Sequence, residues 1–135
     1  MGVISKKTVL YFFILLILGI LTYLFVFYLS VIDTTNVKLE GYVFDEETKN
    51  PISGVLVIVN NDRYEDNNGN KNYDEYLGHD IIKLYSDEKG YYSTKIDKSA
   101  FLWIEFSKKE YSNKNEKGKH SSKLMNYKTY LKKKK

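Results

Sequence analysis

Five residues at alternate positions in one segment could do chemistry: Asp66, Asn68, Asn70, Asn72 and Asp74, within Asp66-Asn67-Asn68-Gly69-Asn70-Lys71-Asn72-Tyr73-Asp74. Counting Asp66 as the first position, side-chain oxygens fall at the first, third, fifth and ninth, and the Asn72 carbonyl falls at the seventh. Hard cations such as Ca²⁺ take oxygen ligands in this kind of spacing. Two positions depart from it. Lys71 stands at the sixth position, where glycine makes the sharp turn, and Leu77 at the twelfth, where a bidentate glutamate closes the shell. With two carboxylates contributed, the expected affinity is at the weak extracellular end, about 10⁻⁴ to 10⁻³ M.

The spacing is similar to that of an EF-hand-type loop, and calcium is the one cofactor the sequence suggests. A plainer reading stands beside it: residues 60–80 form a long, solvated extension between two strands, since long connections in compact domains are either functional or mobile. The same segment carries Tyr64, Tyr73 and Tyr76, which on a loop suit stacking on a sugar ring or anchoring a protein partner. Catalysis finds little to work with. There is no cysteine, and His79 and His120 are expected in polar loops, where a lone histidine usually faces solvent. The chain reads as no enzyme.

The elements that hold this segment are strands. Val37 to Phe44 alternates, with Val37, Leu39 and Val43 on one face, and ends in the polar turn Asp45 to Asn50 before Pro51. Val55 to Val59 is a β-branched run fit for a central strand, and Ile81 to Tyr85 forms a third. The turn Asp87-Glu88-Lys89-Gly90 leads into Tyr91 to Ile96 and reads as a hairpin. Ala100 to Phe106 alternates again, and near the end Met125, Tyr127, Thr129 and Leu131 share one side. Short strands with regular turns and no amphipathic helix predict an antiparallel all-β sandwich.

Upstream lies a different kind of segment. From Val9 to Ile32 no residue is charged, and Lys6 and Lys7 precede the run. A helix of this length reaches about 36 Å, enough to cross a hydrocarbon layer of about 30 Å. A cleaved secretory signal has a shorter apolar region and a small-x-small cleavage site, and here Tyr28 stands two before Ser30. The reading is therefore a single uncleaved transmembrane helix. Positive residues stay on the cytoplasmic side, so Lys6 and Lys7 predict a cytoplasmic N-terminus with the remainder outside.

The net charge of +4 hides an asymmetry. Acids dominate residues 33–107, whereas residues 108–135 carry eleven lysines against Glu110 and Glu116. Basic ends can bind nucleic acid or anionic lipid. An extracytoplasmic position and a single arginine, Arg63, argue against nucleic acid, and a solvated basic end is the plainer account. Without disulfides, the domain relies on apolar burial alone.

Leu39-Glu40-Gly41-Tyr42-Val43-Phe44-Asp45, Thr48, Pro51-Ile52-Ser53-Gly54-Val55 and Ser86-Asp87-Glu88-Lys89-Gly90-Tyr91-Tyr92, in that order, resemble the carboxypeptidase regulatory-like domain across roughly residues 37–111. The resemblance implies a transthyretin-like β-sandwich acting as a non-catalytic module. It carries over no catalytic residues. Ser107-Lys108-Lys109-Glu110-Tyr111 departs from the family pattern, with Glu110 where glycine is usual. Hydroxyisourate hydrolases use the same fold and end in Tyr-Arg-Gly-Ser; here Tyr130-Leu131 precedes four lysines.

Together these readings give a cytoplasmic stretch 1–8, a transmembrane helix 9–32 and an extracytoplasmic β-sandwich 33–135. The expected role is structural or protein-interacting, with another membrane or envelope protein as partner. The alternative is a calcium- or glycan-binding module using the 60–80 loop.

Overall fold

The computed structural model describes residues 5–135. The expected cytoplasmic stretch 1–8 falls in part on residues 1–4, which lie outside the described residues. The chain divides into two compact units, one ending at Ile32 and one spanning Asp33–Lys135.

The first unit is α1, Lys6–Ser30, capped by Ser5, whose hydroxyl accepts from the Lys7 amide at 3.2 Å. The helix is apolar on every side and none of its side chains is buried, the pattern of a helix whose surroundings are themselves apolar. Two of its hydroxyls turn back onto the helix: Thr22 donates to the Leu18 carbonyl at 2.8 Å and Ser30 to the Phe27 carbonyl at 2.7 Å. Such self-satisfaction is what an apolar medium demands of polar groups. By length and composition α1 is able to cross a membrane.

The second unit holds seven strands: β1 (Thr34–Asp45), β2 (Leu56–Arg63), β3 (Gly78–Tyr85), β4 (Tyr91–Ser99), β5 (Phe101–Ser107), β6 (Lys114–His120) and β7 (Leu124–Leu131). They form two sheets, ordered β4-β1-β7 and β3-β2-β5-β6. Period-two alternation puts Val37, Leu39 and Val43 of β1 opposite Val57 and Val59 of β2 and Leu102, Ile104 and Phe106 of β5, in one core completed by Tyr92, Ile96, Met125, Tyr127 and Leu131. Leu39 and Phe106 are fully buried, and truncating either to alanine costs about 2–5 kcal/mol.

Three features differ from the sequence reading. The Asp87–Gly90 turn forms as expected, with Gly90 at φ +71° and Asp87 Oδ1 accepting from the Lys89 and Tyr91 amides. It joins strands of different sheets, however, and is a corner rather than a hairpin. Turn chemistry reverses the chain but does not choose the next partner; β3 pairs with β2, while β4 finds β1. Second, β7 lies parallel to β1, with Leu39 facing Met125 and Val43 facing Thr129; all other pairings are antiparallel. Third, the basic end is not one solvated tail. Lys114–His120 forms the edge strand β6 against β5, and its lysines suit an edge that must not pair further.

Where the family pattern has glycine, Glu110 stays out of the positive-φ region. The chain turns instead on the Tyr111 amide, which donates to the Lys108 carbonyl at 3.0 Å. The Tyr111 hydroxyl donates to Asp45 Oδ2 at 2.9 Å in the interior.

Candidate recognition loop and its buried base

Strand pairing carries β2 to Arg63 and starts β3 at Gly78, opposite one another. The connection is thus 64–77, shorter at both ends than the 60–80 segment read from sequence.

The expected cation ligands fall into two separate turns. Asp66 Oδ1 accepts from the amides of Asn68 at 2.8 Å and Asn70 at 2.9 Å, and Oδ2 accepts from the Asn70 side chain at 2.9 Å. These bonds, the Asn70 side chain first, hold the Asp66 carboxyl below its ordinary pKa. In the second turn, Asn72 Oδ1 accepts from the Asp74 amide at 2.9 Å, while its amide group donates to Glu75 at 3.1 Å. Among the described residues no hydrogen bond links the two turns, and no three His, Cys, Asp or Glu side chains gather as for a metal ion. Asp66 serves as the loop's own cap, the role of an Asx turn.

Below these turns lies a base that the sequence did not announce. Arg63, with its side chain 10% exposed, donates Nε to Asp80 Oδ2 at 2.9 Å, Nη1 to the Glu65 carbonyl at 2.9 Å and Nη2 to Asn67 Oδ1 at 2.8 Å and Asp80 Oδ1 at 3.3 Å. One guanidinium thereby ties the start of the loop, at Glu65 and Asn67, to Asp80 of β3. Gly78 makes room for it, since a Cβ there would lie 2.8 Å from Arg63 Cζ and 2.5 Å from the Glu65 carbonyl oxygen.

Further ties reach other strands. Asp33 accepts from the amides of Tyr64 at 2.8 Å and Glu65 at 3.2 Å. Glu65 pairs with Lys98 of β4 at 3.0 Å, which is the main cause of its lowered pKa. Asn61, 1% exposed, donates to the Lys98 carbonyl at 2.9 Å. Tyr76 stacks between Tyr64 and Phe101, with centroids at 5.1 and 6.1 Å, and burial raises its pKa. Only Tyr73 of the loop tyrosines stands out, 48% exposed. Beside the base opens a cleft of about 480 Å³, lined by Asn61, Arg63, Asn67, Asp80, Lys95 and Lys98.

Both histidines lie in strands rather than loops. His79 Nδ1 sits 2.7 Å from Asp62 Oδ1 on the exposed face of β3. His120 packs edge-on against Phe101. The one sequence cue to the base was Arg63 itself, the single arginine among twenty lysines, placed where the loop begins.

No family model and no curated protein matches this chain. Among solved structures it is similar to 3-chlorocatechol 1,2-dioxygenase from Rhodococcus opacus 1CP, with a TM-score of 0.50 and 16% identity, over 73% of this chain and 60% of that one. The chain thus spans less than two thirds of that protein, and the likeness is one of fold. The C-terminal domain of a shaft pilin from Lactobacillus rhamnosus GG aligns at TM-score 0.47 and 12% identity, over 75% of this chain and 100% of that one. A streptococcal ancillary pilin aligns at 0.43 and 13%, over 74% and 33%. The chain is a β-sandwich preceded by one long apolar helix.

Proposed function

We propose that this chain is a membrane-anchored, non-catalytic β-sandwich that presents the 64–77 loop to a protein partner outside the cytoplasm. One observation carries the reading: Tyr73 projects from a loop whose base is locked by four hydrogen bonds from Arg63. A loop held in place before binding loses little freedom when a partner arrives, and an exposed aromatic is the usual anchor of such a contact. Supporting the anchor are the length and apolarity of α1; supporting the orientation are Lys6 and Lys7.

Within this reading the module is of the carboxypeptidase regulatory-like, transthyretin-like kind. In its favour, Gly41 lies under the Tyr92 ring, where a Cβ would come 2.4 Å from the hydroxyl oxygen, so the Gly-Tyr pairing in the quoted motifs has a physical reason. Cross-linking in intact membranes followed by purification of the full chain tests the reading. One envelope or membrane protein should be captured by the wild type and lost with Tyr73→Ala. Equal capture by both would overturn the role of the loop.

A further inference from the structure

The solvated face of the β4-β1-β7 sheet carries four aromatic rings in a continuous row. Register places Tyr91 beside Tyr42 and Phe44 beside Tyr130. Centroids are 5.1 Å apart for Tyr91 and Tyr42, 6.1 Å for Tyr42 and Phe44, and 5.7 Å for Phe44 and Tyr130. These positions alternate with the buried Gly41, Val43, Tyr92 and Thr129, so the rings belong to the outer face. Tyr42, at the centre, is 45% exposed.

Cations lie on the same rings. Lys49 Nζ is 4.7 Å from the Tyr130 centroid, and Lys128 Nζ is 5.4 Å from Phe44 and 5.7 Å from Tyr130. An ammonium within about 6 Å of a ring centroid is attracted by the ring's quadrupole. Among the described residues neither lysine has a carboxylate within ion-pair distance, whereas Glu40, on the same face, is engaged by Lys38 at 2.5 Å and by the Tyr91 hydroxyl at 3.2 Å. Glu46 and Glu47 stand at the rim, in the turn after Phe44.

Cross-strand aromatic pairs alone would account for ring packing; they do not account for two ammoniums over the rings without a carboxylate partner, of which Lys49 donates to the Glu46 carbonyl at 2.6 Å and Lys128 has no hydrogen-bond partner among the described residues. We infer that this face binds an acidic polysaccharide. Sugar rings stack their C–H faces on aromatic planes, a row of rings about 5–6 Å apart suits successive units of a chain, and carboxylate or phosphate groups on those units complement Lys49 and Lys128. The site is separate from the 64–77 loop.

The test uses the full chain in detergent micelles at about 0.15 M salt, a level at which charges separated in water are largely screened. Immobilised polygalacturonate is the probe, with uncharged dextran and single-stranded poly-dT alongside. Wild type should bind polygalacturonate in preference to both. Tyr42→Ala and Lys128→Glu should each weaken that binding about tenfold or more, while Tyr42→Phe and the loop variant Tyr73→Ala keep it. Absence of wild-type binding, preference for poly-dT, or full binding by Tyr42→Ala would each overturn the inference. Thermal melting of every variant separates loss of the site from loss of the fold.

Discussion

Replacing Gly90 with valine tests the corner on which the two sheets join. Gly90 sits at φ +71°, in the left-handed region that costs an ordinary residue about 1–2 kcal/mol and a β-branched one more. A Cβ there would lie 2.4 Å from the Val43 carbonyl oxygen and 3.2 Å from Pro51 Cβ. The backbone must therefore move, and movement strains the bond from the Val43 amide to the Gly90 carbonyl, now 2.9 Å, worth about 0.5–1.5 kcal/mol. Together these give about 2–4 kcal/mol. For a domain of this size each kcal/mol lowers Tm by about 4–8 °C, so a fall of roughly 10–25 °C is expected. The assay is thermal unfolding of the full chain in detergent, followed by near-ultraviolet circular dichroism of the buried tyrosines. Lys117→Ala, on the exposed edge strand, is the control. A shift no larger than that of the control would refute the argument that the corner needs glycine.

Asp45 accepts from the Thr48 amide, the Tyr111 hydroxyl and the Glu47 amide, and these bonds, that of Thr48 first, pull its pKa down to about 2 from the ordinary 3.8. A depressed carboxylate stabilises the fold above its ordinary pKa and loses that contribution as pH falls through its folded value; stability should decline between about pH 4 and pH 2, and Asp45→Asn should flatten that decline. Arg63→Met removes the ion pair to Asp80, which keeps only the Asn61 side-chain amide at 3.3 Å, and frees the loop, costing about 1–3 kcal/mol, and limited proteolysis should then cut within 64–77 while sparing wild type. Because both Asp66 oxygens already accept from the loop's own N–H groups, millimolar calcium, the weak extracellular range, should leave Tm unchanged. A calcium-dependent rise abolished by Asp66→Ala would establish the cation site.

The parts that were legible in sequence are those where burial imposes period two. Val37, Leu39 and Val43, Leu102 to Phe106, and Met125 to Leu131 could be read directly, because one face of each strand meets the core. β6 could not. It is an edge strand whose residues, Lys114 to His120, contribute no apolar face, so it is held by backbone bonds to β5 that leave no compositional trace. Asp87 and Gly90 announced a turn, but which sheet received the next strand depended on long-range pairing. At the loop, the spacing of Asp66 and the asparagines that reads as a ligand set also serves Asx turns. Arg63 passed without a role because its partner Asp80 is seventeen residues away, across a connection whose path local sequence does not specify.

The central claim is that α1 remains attached and holds the β-sandwich outside the cytoplasm. A fusion carrying, after Lys135, a reporter active only outside the cytoplasm tests it most directly, read in the alkali-washed membrane fraction alongside the N-terminal sequence of the recovered chain. The account predicts activity in that fraction, with residues 1–30 still attached. Activity from a cytoplasmic reporter at the same site, or a mature N-terminus near Val31, would contradict it.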